Sequence, residues 1–283
     1  MRITRFVISM FSAGWIVLGA GVVSGQDYPA KAIRILTQSV GGNPDFASRL
    51  IAQGIAGPLG QQVVVENRTS LIILGEAASK APPDGHTLLL TAGSLWLAPL
   101  VQDNVPYNVV RDFSPITAVA RSPSFLVVHP SLPVKSVKEL IALAKARPGA
   151  LNYASGVIGG ALSFPPGATA AQYIRSGKLR ALGTTGAGRS TVFPDLPTVA
   201  ATVPGYEAVQ LLGLWAPAKT PAAIVNRLNQ EVVRALNSSA TKEKLFNVGV
   251  EIIGSSPERF AAIISSEIAK WSKLIKDVGI HVK

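Results

Sequence analysis

Seven residues near the start of the chain, SVGGNPD at 39–45, combine residue types that suit the binding of an anion. The two glycines lack side chains, so the backbone there can approach a ligand closely. Asn43 is a good helix N-cap, and Pro44 and Asp45 suit the first turn that follows. Free N–H groups at a helix start favour an anion such as a carboxylate. An ordinary strand-to-helix turn, in which Asp45 only complements the helix dipole, is the alternative.

The elements around this segment predict where it lies. Strands are predicted at 33–37, 62–66 and 86–91, with helices at 46–55 and 75–80 between them. This βαβαβ order is typical of a parallel sheet with helices on both faces. Ligands of such sheets bind beyond the carboxyl ends of the strands, and SVGGNPD directly follows the first strand.

The rest of the chain continues the alternation of strands and helices. Strands are predicted at 125–129, 151–154 and 179–182, with one short helical piece between the last two. Helix starts are predicted at Ser136 by a capping box, at Thr220 as an N-cap before Pro221, and at Ser256, whose helix ends at Gly279.

Composition narrows the class of protein. The 283 residues are 48% hydrophobic and 15% charged, so the chain is globular and long enough for one large domain or two lobes. No cysteine is present, which excludes disulfides and thiol chemistry. The net charge of +11 comes from dispersed residues without a basic stripe, so nucleic acid is not expected as a partner. Such a charge favours anionic small molecules.

The N-terminus predicts export. Arg2 and Arg5 precede an apolar run at 6–23, and small residues follow it. This pattern indicates a secretory signal peptide at 1–25, with cleavage before Gln26. An uncleaved membrane anchor is the alternative, because the run is nearly long enough to span a bilayer.

Catalytic and nucleotide-binding signals are weak. GTTGAGRS at 183–190 nearly matches a P-loop, but arginine replaces the lysine and prolines follow where a helix is required. The histidines, His86, His129 and His281, are spread along the chain without a nucleophile elbow or metal-ligand spacing. We therefore expect no enzyme activity, no cofactor and no metal.

The wider pattern resembles the periplasmic substrate-binding proteins of tripartite tricarboxylate transporters, the Bug family. The resemblance covers most of the chain behind the signal peptide. It is carried by IRILTQSVGGNPDFASR at 33–49, QVVVENR at 62–68, APPDGHTLLL at 81–90, PYNVVRDFSPI at 106–116, LVVHPSLPVKSVKELIALAKARPGALNYAS at 126–155, GKLRALGTT at 177–185, RSTVFPDLPTV at 189–199 and WAPAKTPAAIVNRLN at 215–229.

The resemblance implies a two-lobed α/β fold like that of type II periplasmic binding proteins, with parallel or mixed sheets flanked by helices. It implies a first lobe at 26–124 plus 216–283 and a second at 125–215. The implied protein is a periplasmic monomer that captures a small carboxylate, such as a di- or tricarboxylate or an aromatic acid, and delivers it to membrane permease subunits. The ligand-binding residues it implies are Ser39, Val40, Gly41, Gly42, Asn43, Asp45, Ser94, Ser155, Gly156 and Thr184. Ser94 as the cap of a turn, and Ser155-Gly156 as a plain turn, are the alternatives.

Three departures from the family pattern bear on the site. Gln38-Ser39-Val40 stands where the family usually has an aromatic residue, alanine and proline, and 69–74 is apolar where the family has a glycine-rich loop. Between Val157 and Ser176 a large family block is missing, so the second lobe is expected to be shortened. An interaction or sensory protein, or a decayed copy that no longer binds ligand, is therefore the alternative to transport.

Overall fold

The computed structural model describes residues 28–154 and 162–279. In chain order its elements are β1 (Ile33–Thr37), α1 (Asn43–Leu59), β2 (Val63–Asn67), α2 (Leu71–Ser79), β3 (Thr87–Ala92), α3 (Ser94–Val101), α4 (Val109–Asp112), β4 (Phe113–Pro123), β5 (Phe125–Val128), α5 (Val137–Ala146), β6 (Tyr153–Ala154), β7 (Leu162–Ser163), α6 (Gly167–Arg175), β8 (Arg180–Thr184), β9 (Val209–Pro217), α7 (Ala222–Leu236), α8 (Ser239–Asn247), β10 (Glu251–Ile252) and α9 (Pro257–Val278). A 3₁₀ turn covers Val199–Ala201.

The first lobe is built on a six-stranded sheet in the order β10-β4-β9-β3-β1-β2. β1 is parallel to both β2 and β3, and β9 runs antiparallel to β3 and β4. The carboxyl ends of β1, β2, β3 and β4 therefore meet the amino end of β9 at one edge. We call this the carboxyl edge of the first lobe.

Two apolar cores cover the faces of this sheet. On one face α1 and α7 bury a cluster that includes Ile35, Ile51 and Leu228. On the other face α2, α3 and α9 bury a second cluster around Trp215 and Phe260. The helices follow the apolar periodicity of their sequences, since these stripes face the sheet and the polar positions face solvent.

The second lobe is built on a four-stranded sheet in the order β6-β7-β5-β8. β5 runs antiparallel to its neighbours β7 and β8, whereas β6 and β7 are parallel. The chain enters this lobe through Ser124, directly after β4, and returns to the first sheet with β9. Two antiparallel strands thus connect the lobes, and the carboxyl ends of β7 and β8 lie beside that connection.

Several sequence predictions are corrected by these boundaries. α2 begins at Leu71, not at Gly75, because Ser70 accepts a hydrogen bond from the Ile73 N–H and caps the helix earlier. Thr220 does not cap α7; its hydroxyl donates to the Pro217 carbonyl oxygen, and Pro221 takes the cap position. β9 lies in the first sheet, although the sequence-based division assigns most of it to the second lobe.

The remaining sequence predictions meet a mixed outcome. Ser136 and Ser256 cap α5 and α9 as expected, and Gly279 ends α9 in the left-handed conformation.

Bends and turns follow β8 up to residue 198, which is not the helix that a P-loop requires. The proposed signal peptide lies outside the described residues. Within the described ranges, no helix combines the length and apolar character needed to cross a membrane.

Candidate functional site

The SVGGNPD segment forms the turn from β1 into α1 at the carboxyl edge. Gly41 has φ +84°, a left-handed conformation that favours glycine, and the Gly42 N–H donates to the Ser39 carbonyl oxygen at 3.4 Å. Gly42 is the N-cap of α1 and offers no side chain to the helix start. Asn43 was predicted to be the cap, but it is the first helical residue. The first N–H groups of α1, those of Asn43 and Asp45, are therefore left without a side-chain cap.

Asn43 points its side chain across the sheet edge instead of capping its own helix. It is 4% exposed, and its Nδ2 donates to Ser122 Oγ at 3.0 Å and to Gln210 Oε1 at 3.2 Å. Ser122 and Gln210 are register partners on β4 and β9, the two strands that connect the lobes. No described group donates to Asn43 Oδ1. Asn43 thus ties the candidate loop to the inter-lobe connection and keeps one buried acceptor open.

Asp45 turns inward and organises the loop. Its carboxylate accepts hydrogen bonds from the Gly41 N–H at 3.0 Å, from Asn67 Nδ2 at 2.8 Å and from Arg49 Nε at 3.0 Å. Burial acts to raise the pKa of Asp45, but these three hydrogen bonds and the Arg49 charge outweigh it, so the pKa lies below its ordinary value. Arg49 balances the charge of Asp45 within the chain. The role of Asp45 is therefore to hold the loop in position.

A second loop joins the first through Gln38, which sequence analysis identified only as a departure from the family pattern. Gln38 Nε2 donates to Ser94 Oγ at 3.3 Å, and Gln38 Oε1 accepts from the Ala92 N–H at 3.4 Å. Ser94 is the first residue of α3 and forms no cap there, since Gly93 takes the cap position. Ser94 is thus linked through Gln38 to the loop that contains the exposed Ser39.

The candidate residues of the second lobe are only partly described. Ser155 and Gly156 lie outside the described residues. Thr184 is fully buried at the end of β8, and its hydroxyl has no hydrogen-bond partner among the described groups. Thr184 was expected among the ligand-binding residues, whereas the structure buries its side chain.

Thr185, the next residue along the chain, forms hydrogen bonds that no local sequence pattern indicates. Its hydroxyl accepts from the Ser124 N–H at 2.8 Å and donates to the Ala208 carbonyl oxygen at 2.5 Å. Its backbone N–H and carbonyl oxygen bond to the same two residues. Ser124 and Ala208 belong to the two segments that cross between the lobes, so Thr185 holds both crossings together.

A large cavity lies behind the connecting strands and not at the candidate loops. It measures about 790 Å³ and is lined by Arg121, Leu211, Glu251 and Arg259, among others, but by none of the candidate residues. Successive residues of a strand face opposite sides, so Arg121 and Leu211 face this cavity while Ser122 and Gln210 face Asn43. The candidate site is the open carboxyl edge, because the orphan amides and serine hydroxyls are found there.

Comparison with known proteins gives the family of the chain. A family model described as "Tripartite tricarboxylate transporter family receptor" matches residues 47–165 and 165–280. The UPF0065 protein in the tcbD-tcbE intergenic region of Pseudomonas sp. (strain P51) is 32% identical over 296 residues, covering 90% of this chain and 88% of the relative. Protein BugT of Bordetella pertussis is 31% identical over 329 residues, covering both chains fully.

A solved structure agrees with these relatives and with the fold. The structure described as "R. palustris Rpa4515 with adipate" is 30% identical, with a TM-score of 0.83 over 90% of this chain and 99% of that chain.

The same comparisons bear on the expected shortening of the second lobe. The alignment with BugT has 329 positions against the 283 residues of this chain, so at least 46 positions of the relative have no counterpart here. The two matches to the family model meet at Pro165, between β7 and α6.

Proposed function

Since the chain belongs to the family of tripartite tricarboxylate transporter receptors, we propose that it captures a small carboxylate between its lobes for delivery to membrane permease subunits. The proposed ligand site is the carboxyl edge of the first lobe, closed from the other side by the second lobe. The proposed lobes are 26–124 with 216–283, and 125–215, with the boundary between them moved back to the start of β9 so that the whole strand belongs to the first lobe. The protein acts as a periplasmic monomer after removal of residues 1–25, and its role is binding, not catalysis.

One observation carries the proposal: the start of α1 has no cap of its own. Gly42 cannot cap the helix, and the nearby Asp45 carboxylate is occupied by Gly41, Asn67 and Arg49. The orphan amides and the positive end of the helix dipole therefore remain for an outside anion. The hydroxyls of Ser39 and Ser94 add neutral donors.

The test introduces an aspartate side chain, by substitution, at the start of α1. Gly42 has extended backbone angles, and an added Cβ would meet only ordinary contacts at 3.6 Å, so the position accepts a side chain. In Gly42→Asp the new side chain caps α1, which stabilises the fold by about 0.5–2 kcal/mol relative to Gly42→Ala and by only a few tenths of a kcal/mol relative to the wild-type glycine. We expect the same substitution to abolish carboxylate binding, because the amides are then occupied. Gly42→Ala is the control, since it adds the Cβ without the carboxylate.

The measurement is a thermal-shift screen of the wild type and both variants against mono-, di- and tricarboxylates, followed by calorimetry. A ligand at 100 times its dissociation constant adds about 2.7 kcal/mol to stability. If Gly42→Asp binds a carboxylate as tightly as Gly42→Ala does, the proposed site is wrong. A wild type that melts cooperatively without any shift favours the interaction or sensory role, which the shortened second lobe also supports.

A further inference from the structure

Exposed and partly exposed apolar side chains occur in the candidate loop and in the helices that begin at the carboxyl edge of the first lobe. Val40, inside the candidate loop, is 74% exposed, and Ile73, in the first turn of α2, is 55% exposed. Leu71 and Leu97, at the starts of α2 and α3, are partly exposed and pack against the core below them. A ligand that covered these side chains would remove apolar surface from water, which favours its binding.

Hydrogen bonds fix these helix starts beside the candidate loop. Asn67 Nδ2 donates to the Gln38 carbonyl oxygen at 2.7 Å, and the Arg68 N–H donates to the Thr37 carbonyl oxygen at 2.9 Å. α2 begins three residues after Arg68, so Ile73 lies at the same edge as Val40. In the second lobe, Pro166 lies beside the inter-lobe connection, where it forms an isolated β-bridge with Ser124.

The arginine side chains of these elements already have ion-pair or hydrogen-bond partners within the chain. Arg49 forms an ion pair with Asp45 at 3.0 Å, and Arg68 forms one with Glu66 at 2.7 Å. In the second lobe, Arg189 donates to the Pro194 carbonyl oxygen of its own loop. The helix start and the serine hydroxyls suit one carboxylate, whereas a second or third carboxylate would meet apolar side chains and paired arginines.

We propose that the ligand is a monocarboxylate with an apolar body, aliphatic or aromatic, and not a hydroxylated di- or tricarboxylate. This inference rests on the proposed carboxylate site and specifies what that site selects. The carboxylate binds at the start of α1, and the body of the ligand lies against Val40 and Ile73.

Chain length provides the first readout. Calorimetry with the full protein compares acetate, butyrate, hexanoate and benzoate with malate, succinate and citrate. Each methylene that becomes buried lowers the dissociation constant by about fourfold. We expect affinity to rise from acetate to hexanoate, benzoate to bind in the range of hexanoate, and the polyacids to bind more weakly than either.

Substitution at the rim provides the second readout. Val40→Ser and Ile73→Ser are expected to weaken hexanoate binding by about five- to tenfold, since each removes roughly one or two buried methylene equivalents. Acetate, which is too short to reach either side chain, should keep its affinity. Val110→Ser is the matched control: Val110 is 71% exposed on α4, at the opposite edge of the sheet, and should have no effect.

The outcomes separate this inference from the proposed function. Tighter binding of malate or citrate than of hexanoate overturns the inference and leaves carboxylate capture intact. A flat chain-length series, or an equal loss in Val110→Ser, also overturns it. Failure of every carboxylate to bind overturns the proposed function and this inference together.

Discussion

Asp45 shows how an acidic residue can organise the loop that we propose binds an anion. Its carboxylate holds Gly41, Asn67 and Arg49 in place, and its charge is compensated by Arg49. The loop keeps its shape before a ligand arrives, which lowers the ordering cost of binding.

The depressed pKa of Asp45 predicts a specific dependence of stability on pH. Its folded pKa lies below that of the unfolded chain, so its contribution is complete above the ordinary aspartate pKa and is lost as the pH falls through the folded value. Asp45→Asn should cost about 2 kcal/mol of unfolding free energy at pH 7, because charge-assisted hydrogen bonds are lost. The wild type and the variant should converge as the pH falls below about 4.

Urea denaturation at several pH values checks this prediction. Asp195→Asn is the control, since Asp195 is exposed in the second lobe and should change the unfolding free energy little at any pH. A constant difference between wild type and Asp45→Asn across the whole pH range would contradict the assignment.

The sequence indicated part of the site for physical reasons. The two glycines and the helix-start residues of 39–45 act locally, so their spacing predicted a turn into a helix. The partners of Asn43 are 79 and 167 residues away, at Ser122 and Gln210, and no local pattern points to them. The orientation of Asn43 was missed for this reason: a residue that usually caps a helix forms long-range hydrogen bonds instead.

Among the elements, β4 and β9 are the strands through which the chain leaves and re-enters the first lobe. Thr185 bonds to Ser124 and Ala208, the residues that flank these strands, through its hydroxyl and through its backbone N–H and carbonyl oxygen. Because the Thr185 side chain is 1% exposed, water cannot easily replace the hydroxyl as a partner.

Thr185→Val should therefore loosen the connection between the lobes. We expect a loss of about 1–3 kcal/mol in unfolding free energy, since the Ser124 N–H and the Ala208 carbonyl oxygen lose a buried partner. Thr185→Ser retains the hydroxyl and should recover most of this loss, and Thr202→Val, at an exposed position, should be neutral. Equal stability of Thr185→Val and Thr185→Ser in urea denaturation would argue against a role for the hydroxyl.

The sequence predicted local elements better than these connecting strands. β1, β3 and α9 carry clear apolar runs or caps and lie within a residue or two of their predicted bounds. β4 contains Pro115, which argues against a central strand, yet the structure accommodates it where the register with β9 shifts. α2 was predicted to start too late, because Ser70 was not recognised as its cap.

At the scale of the whole molecule, the two lobes are unequally built. Among the described residues, the buried clusters of the first lobe hold 25 and 14 members, whereas those of the second hold seven and four. β6 and β7 have only two residues each, beside the place where the family match is interrupted. Less buried apolar surface means less stabilisation per residue, so the second lobe should open before the first.

Native-state hydrogen exchange compares the opening free energies of the two lobes within one molecule. We expect the amides of β5 and β8 to exchange through openings at least about 2 kcal/mol smaller in free energy than those that expose β1 and β3. Equal protection in both sheets would contradict the prediction and show that the shortened lobe unfolds only with the rest.

The same hydrogen-exchange experiment, repeated with a bound carboxylate, tests the proposed function. A ligand that contacts only the first lobe protects the amides of α1 and leaves β5 and β8 unchanged, because it has no differential affinity for the closed arrangement. A ligand that closes the cleft must also protect β5 and β8, since closure buries their ends against the first lobe. We expect the second result, because Asn43 and Thr185 link the ligand loop, the connecting strands and the second lobe in one chain of hydrogen bonds. Protection confined to the first lobe would mean that the shortened second lobe no longer takes part in capture, and would favour an interaction role over transport.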